Sequence, residues 1–172
     1  MSETDFGKIK LLVLDVDGVL TDGTIIVNAD GSESKFFNVL DGHGIRLWRR
    51  AGLKVAFLSG RKSEPTQRRA GQLEVDFCLE DCHDKLPALK ELVEEAGLEA
   101  GQVAYVGDDV MDMPVMRYAG FSVAVANSAE EVKEAADYVT EKTGGKGAVR
   151  EVIEYILKKA GKWDGLVERY IK

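Results

Sequence analysis

Cysteine, proline and long apolar runs are all scarce in this 172-residue chain. Two cysteines cannot build a disulfide framework and suit a reducing compartment. With three prolines and no Pro/Gly/Ser-rich linker, repeat or low-complexity tract, nothing divides the chain, and a single domain over 1–172 is expected. No apolar run nears the ~20 residues of a membrane span, and the first ten residues hold no signal-peptide core. Basic residues are outnumbered, 23 against 30, for a net charge of −7. That balance argues against nucleic acid or an anionic membrane as partner, because a phosphate backbone demands a basic face. A small anionic substrate remains open, since it answers to local charge and bound cations. The expectation is a soluble cytoplasmic protein.

What the chain does have is alternation. Short apolar runs recur at Leu11–Leu14, Val55–Leu58, Val75–Cys78, Val103–Val106 and Ser122–Val125. Near-continuous apolar strands are what a parallel sheet, buried on both faces, requires. Between them lie amphipathic helices. Leu86, Leu89, Leu92, Val93 and Ala96 form one stripe, with Asp84 as N-cap and Gly97 beyond the end. Ser128 and Glu131 have capping-box spacing. Val149, Val152, Ile153, Ile156 and Leu157 mark a last helix. The pattern predicts an α/β fold, a Rossmann-like three-layer αβα sandwich with a mostly parallel central sheet and its ligand at the carboxyl ends of the strands.

One segment breaks the alternation. Residues 24–39 read as a β-hairpin about an Asp-Gly turn, Asp30-Gly31, where the first crossover helix should stand. Its Ile, Val and Phe residues suggest a flap that covers the site or pairs with another subunit.

Four polar groups fall at the ends of four predicted strands. The first strand runs into D-V-D-G-V-L-T-D-G, bearing Asp15 and Asp17. The second ends in S-G-R, offering the Ser59 hydroxyl, the Gly60 amide and the Arg61 cation. Lys85 opens the third helix, and G-D-D-V-M-D brings Asp108, Asp109 and Asp112. Carboxylates converging on one mouth repel one another unless a cation sits among them. Magnesium, which takes hard oxygen ligands and is shared with substrate phosphate, fits best. A hydroxyl, an amide and a lysine beside it form an anion pocket. An aspartate there can attack phosphorus, and a second can trade protons with the leaving alcohol and the attacking water. Singly each motif has an ordinary explanation as a solvated or capping group; together they describe phosphoryl transfer to water.

In these motifs the sequence resembles the haloacid dehalogenase superfamily of phosphohydrolases, in its capless branch, since no insertion long enough for a cap lies between them. The resemblance implies Asp15 as nucleophile, Asp17 as general acid/base, and Ser59 and Lys85 as phosphoryl ligands. Magnesium would be held by Asp15, the Asp17 backbone carbonyl and Asp108, with Asp109 and Asp112 as supporting carboxylates. It also implies a homo-oligomer, a tetramer built through the hairpin, with a neighbouring subunit helping to close the site. The implied substrate is a sugar-acid phosphate, 3-deoxy-D-manno-octulosonate 8-phosphate in lipopolysaccharide precursor synthesis, over a nonulosonic acid 9-phosphate. Some nonulosonate members of the family carry Glu where this sequence has Arg61, so a cation there suits the former and is placed to contact the sugar-acid carboxylate.

Other features carry less. Cys78, Cys82 and His83 lack a fourth soft ligand for zinc, and Cys78 reads as strand core. Asp41 reads as the N-cap of the helix after the hairpin, and His43 there reads as a surface residue over one that reaches substrate. Gly144–Gly147 lacks Walker spacing and by itself reads as a flexible turn, while the resemblance implies a loop near the site. A phosphoacceptor receiver domain would use similar groups, but its acceptor follows a later strand, whereas here D-x-D ends the first.

Overall fold

Alternate residues of a strand point to opposite faces, so a strand apolar throughout needs cover on both. The computed structural model, which describes residues 4–171, supplies that cover. Positions 1–3 and 172 of the expected 1–172 domain lie outside the described residues. The central strand β1 (Leu11–Leu14) is wholly buried. Leu12 and Leu14 join a cluster with Trp48, Phe57, Ile153 and Leu157 on one face. Leu11 and Val13 join Leu58, Leu89, Tyr105 and Val115 on the other.

β1 is followed by a short hairpin, β2 (Ile26–Val27) and β3 (Glu33–Ser34), and then by helix α1 (Val39–Arg50). Next come β4 (Lys54–Leu58), α2 (Glu64–Leu73), β5 (Phe77–Leu79), α3 (Lys85–Glu95), β6 (Val103–Gly107) and α4 (Met113–Tyr118). β7 (Phe121–Ala124), α5 (Glu130–Ala135), β8 (Tyr138–Val139), α6 (Ala148–Lys159) and α7 (Trp163–Val167) complete the order. The main sheet runs β5-β4-β1-β6-β7-β8, with every neighbouring pair parallel. Residues of α1, α2 and α6 cover one face and residues of α3, α4 and α5 the other, giving the expected three layers. β1 lies between β4 and β6, so the chain winds outward from it in both directions. Its carboxyl end is therefore the crevice where such sheets receive ligands.

Several local expectations are corrected. The hairpin is confined to two residues per strand, closed where Asn28 N donates to the Ser32 carbonyl, and its distal end is already helix α1 at Val39. That helix is capped by Asn38, whose Oδ1 accepts from Leu40 N (2.7 Å), and not by Asp41. Asp41 is buried within α1 and caps another helix. Its carboxylate accepts from Gly147 N (3.2 Å) and Arg150 N (2.8 Å) at the start of α6. Burial is the largest influence on Asp41 and pushes its pKa above the usual carboxylate value, the amides only partly offsetting it. Ser128 caps nothing; its hydroxyl donates to the Gly107 carbonyl (3.3 Å), and α5 begins without a side-chain cap. β5 starts at Phe77, not Val75, because Asp76 turns its carboxylate to the Val55 amide (2.9 Å). Cys78 on this edge strand is exposed rather than core, since helical cover does not reach it. β8 was not foreseen, two residues being too short for periodicity to show. Among the described residues no helix is long and apolar enough to cross a membrane.

Candidate active site

The chain leaves β1 at Asp15, whose amide still donates to the Val106 carbonyl (3.0 Å), and then bends. Val16–Leu20 form a wide turn in which Thr21 N donates to the Val16 carbonyl (3.1 Å). Thr21 Oγ1 braces its interior, accepting from Gly18 N and Gly23 N. Gly18 sits at φ +104°, and a Cβ there would lie 2.0 Å from Asp108 Oδ2. Only glycine lets the first loop approach that carboxylate. The bend also parts the two aspartates that strict alternation would keep side by side. Asp15 is 5% exposed, while Asp17 stands nearer the mouth.

Four elements bring their side chains to Asp15. Lys85, the first residue of α3 and only 6% exposed, donates from Nζ to Asp15 Oδ1 (2.5 Å) and Asp112 Oδ1 (2.7 Å). Asp112, 1% exposed, also accepts from the Tyr105 hydroxyl (2.6 Å) and from the amides of Asp108 (2.9 Å) and Asp109 (3.3 Å). Ser59 is buried at the end of β4 and its Oγ accepts from Arg61 N (3.2 Å). A cleft of about 340 Å³ is lined by all the expected site residues, including Gly60, Arg61, Asp108 and Asp109, with Met111 and His83 beside them. Two larger hollows elsewhere, one beside Lys8 and Arg117 and one beside Arg46 and Arg49, gather no comparable set of carboxylates.

The electrostatics ask for a cation. One carboxylate oxygen from each of Asp15, Asp108 and Asp112 lies within 4.8 Å of the others. Burial first, and then repulsion from Asp15 and Asp112, raises the Asp108 pKa to about 8. Burial likewise lifts Asp15 to about 6, against the pull of Lys85. Burial alone would depress the Lys85 ammonium, yet Asp15 and Asp112 hold it above its ordinary value. One ammonium thus faces three carboxylates, an all-oxygen donor set that fits a hard divalent ion such as magnesium.

Some expected residues prove less central and others more. Asp109 is exposed and caps the short turn Val110–Asp112 through Val110 N (2.7 Å). Asp112 is the hub of the buried network. Arg61 is exposed at the rim and paired with Glu33 of the hairpin. His43 points away from the cleft, to Tyr170 and Arg150. The Gly144–Gly147 segment is no loose turn: a Cβ on Gly144 would fall 1.7 Å from the Gly18 carbonyl oxygen, and Gly145 N donates to the Val19 carbonyl (2.9 Å). It buttresses the aspartate loop from behind. Sequence reasoning missed Tyr105 and Lys35. Lys35 Nζ donates to both oxygens of Asp17, at 2.7 and 2.9 Å. A tyrosine in an apolar strand that leads into an acidic run was the one available signal for the first; a lysine in a hairpin gave none for the second.

Comparison with known proteins agrees with this geometry. The family described as haloacid dehalogenase-like hydrolase matches residues 77–153. The chain is 45% identical over 157 residues to the 3-deoxy-D-manno-octulosonate 8-phosphate phosphatase KdsC of Escherichia coli K12, covering 91% of this chain and 84% of that protein. The crystal structure of 3-deoxy-D-manno-octulosonate 8-phosphate phosphatase from Moraxella catarrhalis, in complex with magnesium ion, phosphate ion and KDO, superposes with a TM-score of 0.94. It is 42% identical, over 96% of this chain and 95% of that one. The cobalt-bound enzyme from Haemophilus influenzae gives a TM-score of 0.88 at 42% identity, over 91% and 92% of the two chains.

Proposed function

Because the chain belongs to the 3-deoxy-D-manno-octulosonate 8-phosphate phosphatase family of haloacid dehalogenase-like hydrolases, we propose that it hydrolyses that sugar-acid phosphate to the free sugar acid and phosphate. The observation that carries the reading is Asp15, buried at the end of the central strand, held by Lys85 and facing Asp108 across a surplus of negative charge. Asp15 attacks phosphorus and the bond to the sugar oxygen breaks, with a proton passing from Asp17 to that oxygen. Asp17 then takes a proton from water, which attacks the aspartyl phosphate, releasing phosphate and restoring Asp15. Lys85, the Ser59 hydroxyl and the Gly60 amide bind the phosphoryl oxygens. Asp15, the Asp17 backbone carbonyl and Asp108 would hold Mg²⁺, which would neutralise the phosphoryl and carboxylate charge. Asp112 fixes Lys85 and the amides that follow β6, and Asp109 caps the turn beside them.

Arg61 stands at the rim beside Glu33, where its guanidinium meets the carboxylate that either candidate sugar acid carries. The assembly we propose is a homotetramer acting in the cytoplasm, in lipopolysaccharide precursor synthesis. Support for assembly is the apolar surface from the hairpin to the start of α1, where Val27 is 68%, Phe36 75% and Val39 78% exposed. The test is phosphate release by the purified protein with Mg²⁺, from the octulosonate 8-phosphate and from a nonulosonate 9-phosphate. Preference for the eight-carbon ester is expected, with activity lost in EDTA and restored by Mg²⁺. Preference for the nine-carbon ester would reject the substrate.

A further inference from the structure

The chain just beyond the hairpin reaches the site through a buried lysine. Lys35 follows β3 directly, and its side chain is only 1% exposed although the segment runs over the surface. An ammonium taken out of water needs a compensating partner, and both hydrogen bonds from Nζ go to Asp17, one to each oxygen. Asp17 in turn lies in a bend, with φ −83° and ψ 107°, ahead of Gly18 at φ +104°. That backbone conformation turns the side chain out of the buried network around Lys85 and leaves its carboxylate 18% exposed at the mouth. Lys35 therefore fixes its direction from outside the loop. Two residues earlier in the hairpin, Glu33 pairs with Arg61 on the opposite rim and anchors the strand that carries the lysine.

Resting on the phosphatase reading, we propose that Lys35 is a positioning residue. Its Nζ reaches both oxygens of the Asp17 carboxylate, and keeps one when the other carries a proton, holding that group where it exchanges protons with the ester oxygen and with the attacking water. A displacement of about 1 Å at such a group costs on the order of 100-fold in rate. The hairpin thereby becomes part of the machinery for proton transfer, although no residue of it touches the phosphoryl group.

The experiment pairs Lys35→Met with Asp17→Asn and the double variant. The substrates are the sugar-acid phosphate, whose alkoxide leaving group needs a proton, and p-nitrophenyl phosphate, whose phenolate does not. Lys35→Met is expected to lower kcat on the sugar ester by about 10- to 100-fold with KM nearly unchanged. It should still release a burst of one nitrophenolate per site, followed by slow turnover. In the Asp17→Asn background the substitution should add nothing, because the group it positions is gone. An unchanged kcat, a rise in KM alone, a lost burst, or an equal loss in the Asp17→Asn background would overturn the proposal. If Lys35→Met fails to fold, as read by thermal melting, Lys35→Gln takes its place. It keeps one hydrogen-bond donor and is expected to show a smaller loss with the same split between the two esters. A wild-type protein inert towards both esters would instead defeat the phosphatase reading and Lys35 with it, so the two failures are distinct.

Discussion

Asp112→Asn tests the buried network most severely, because the substitution keeps the shape and changes only the donors and acceptors. The Asp112 carboxylate accepts four hydrogen bonds, from Lys85 and Tyr105 on one oxygen and from the amides of Asp108 and Asp109 on the other. An asparagine amide satisfies one side and presents N–H donors to the other, whichever way it turns. Turned with its oxygen to Lys85, it strands two backbone amides at 2.9 and 3.3 Å. Turned the other way, it confronts an ammonium and a hydroxyl. A buried group left unsatisfied costs about 1–3 kcal/mol, and Lys85 also loses one of its two carboxylate partners. Against this, removing one negative charge relieves part of the repulsion that, after burial, raises Asp108 to about 8. The balance is a destabilisation of about 2–4 kcal/mol, or roughly 5–15 °C in Tm for a chain of this size. Tyr105→Phe removes a single donor and should cost about 1 kcal/mol. The assay is denaturant unfolding of all three proteins in EDTA, with turnover measured in Mg²⁺. Asp112→Asn within 0.5 kcal/mol of wild type, or less destabilised than Tyr105→Phe, would refute the reasoning.

Three further outcomes are expected. Gly18→Ala should abolish most turnover and weaken Mg²⁺ binding in calorimetric titration while the fold survives in circular dichroism, because its Cβ displaces the Asp108 carboxylate from 2.0 Å away. Asp41→Ala should cost about 1–2 kcal/mol in unfolding experiments, since it strips α6 of its cap. That cost should be larger at pH 4 than at pH 8: burial raises the Asp41 pKa in the fold, so its contribution falls as pH rises through the raised value. Phe36→Asp, at a hairpin side chain 75% exposed, should lower the mass measured by light scattering towards the 18.9 kDa protomer; an unchanged oligomer would place the interface elsewhere.

The sheet was legible because burial on both faces writes an unbroken apolar run into each central strand, as in Leu11–Leu14 and Val103–Val106. At the edge that pressure weakens, so the apolar run places β5 two residues early and the two residues of β8 leave no pattern. Capping was misread where a polar side chain serves a distant helix: Asp41 sits where an N-cap of α1 would be sought, yet it answers to α6, more than a hundred residues away. The acids of the site were legible because they end strands, and strand ends are set by local sequence. Lys35 and Tyr105 were not, since their roles depend on which loops meet in space. Gly144 was opaque for the same reason, its smallness required by the Gly18 carbonyl oxygen rather than by its own turn.

The most direct measurement stops a single turnover in acid and locates phosphorus on the digested protein by mass spectrometry. The account predicts a phosphoryl group on the peptide bearing Asp15, formed and lost at the rate of turnover and missing from Asp15→Asn, which should retain the fold with activity reduced by several orders of magnitude. Full-rate phosphate release with no phosphoryl-protein, or with the label on another side chain, would contradict it.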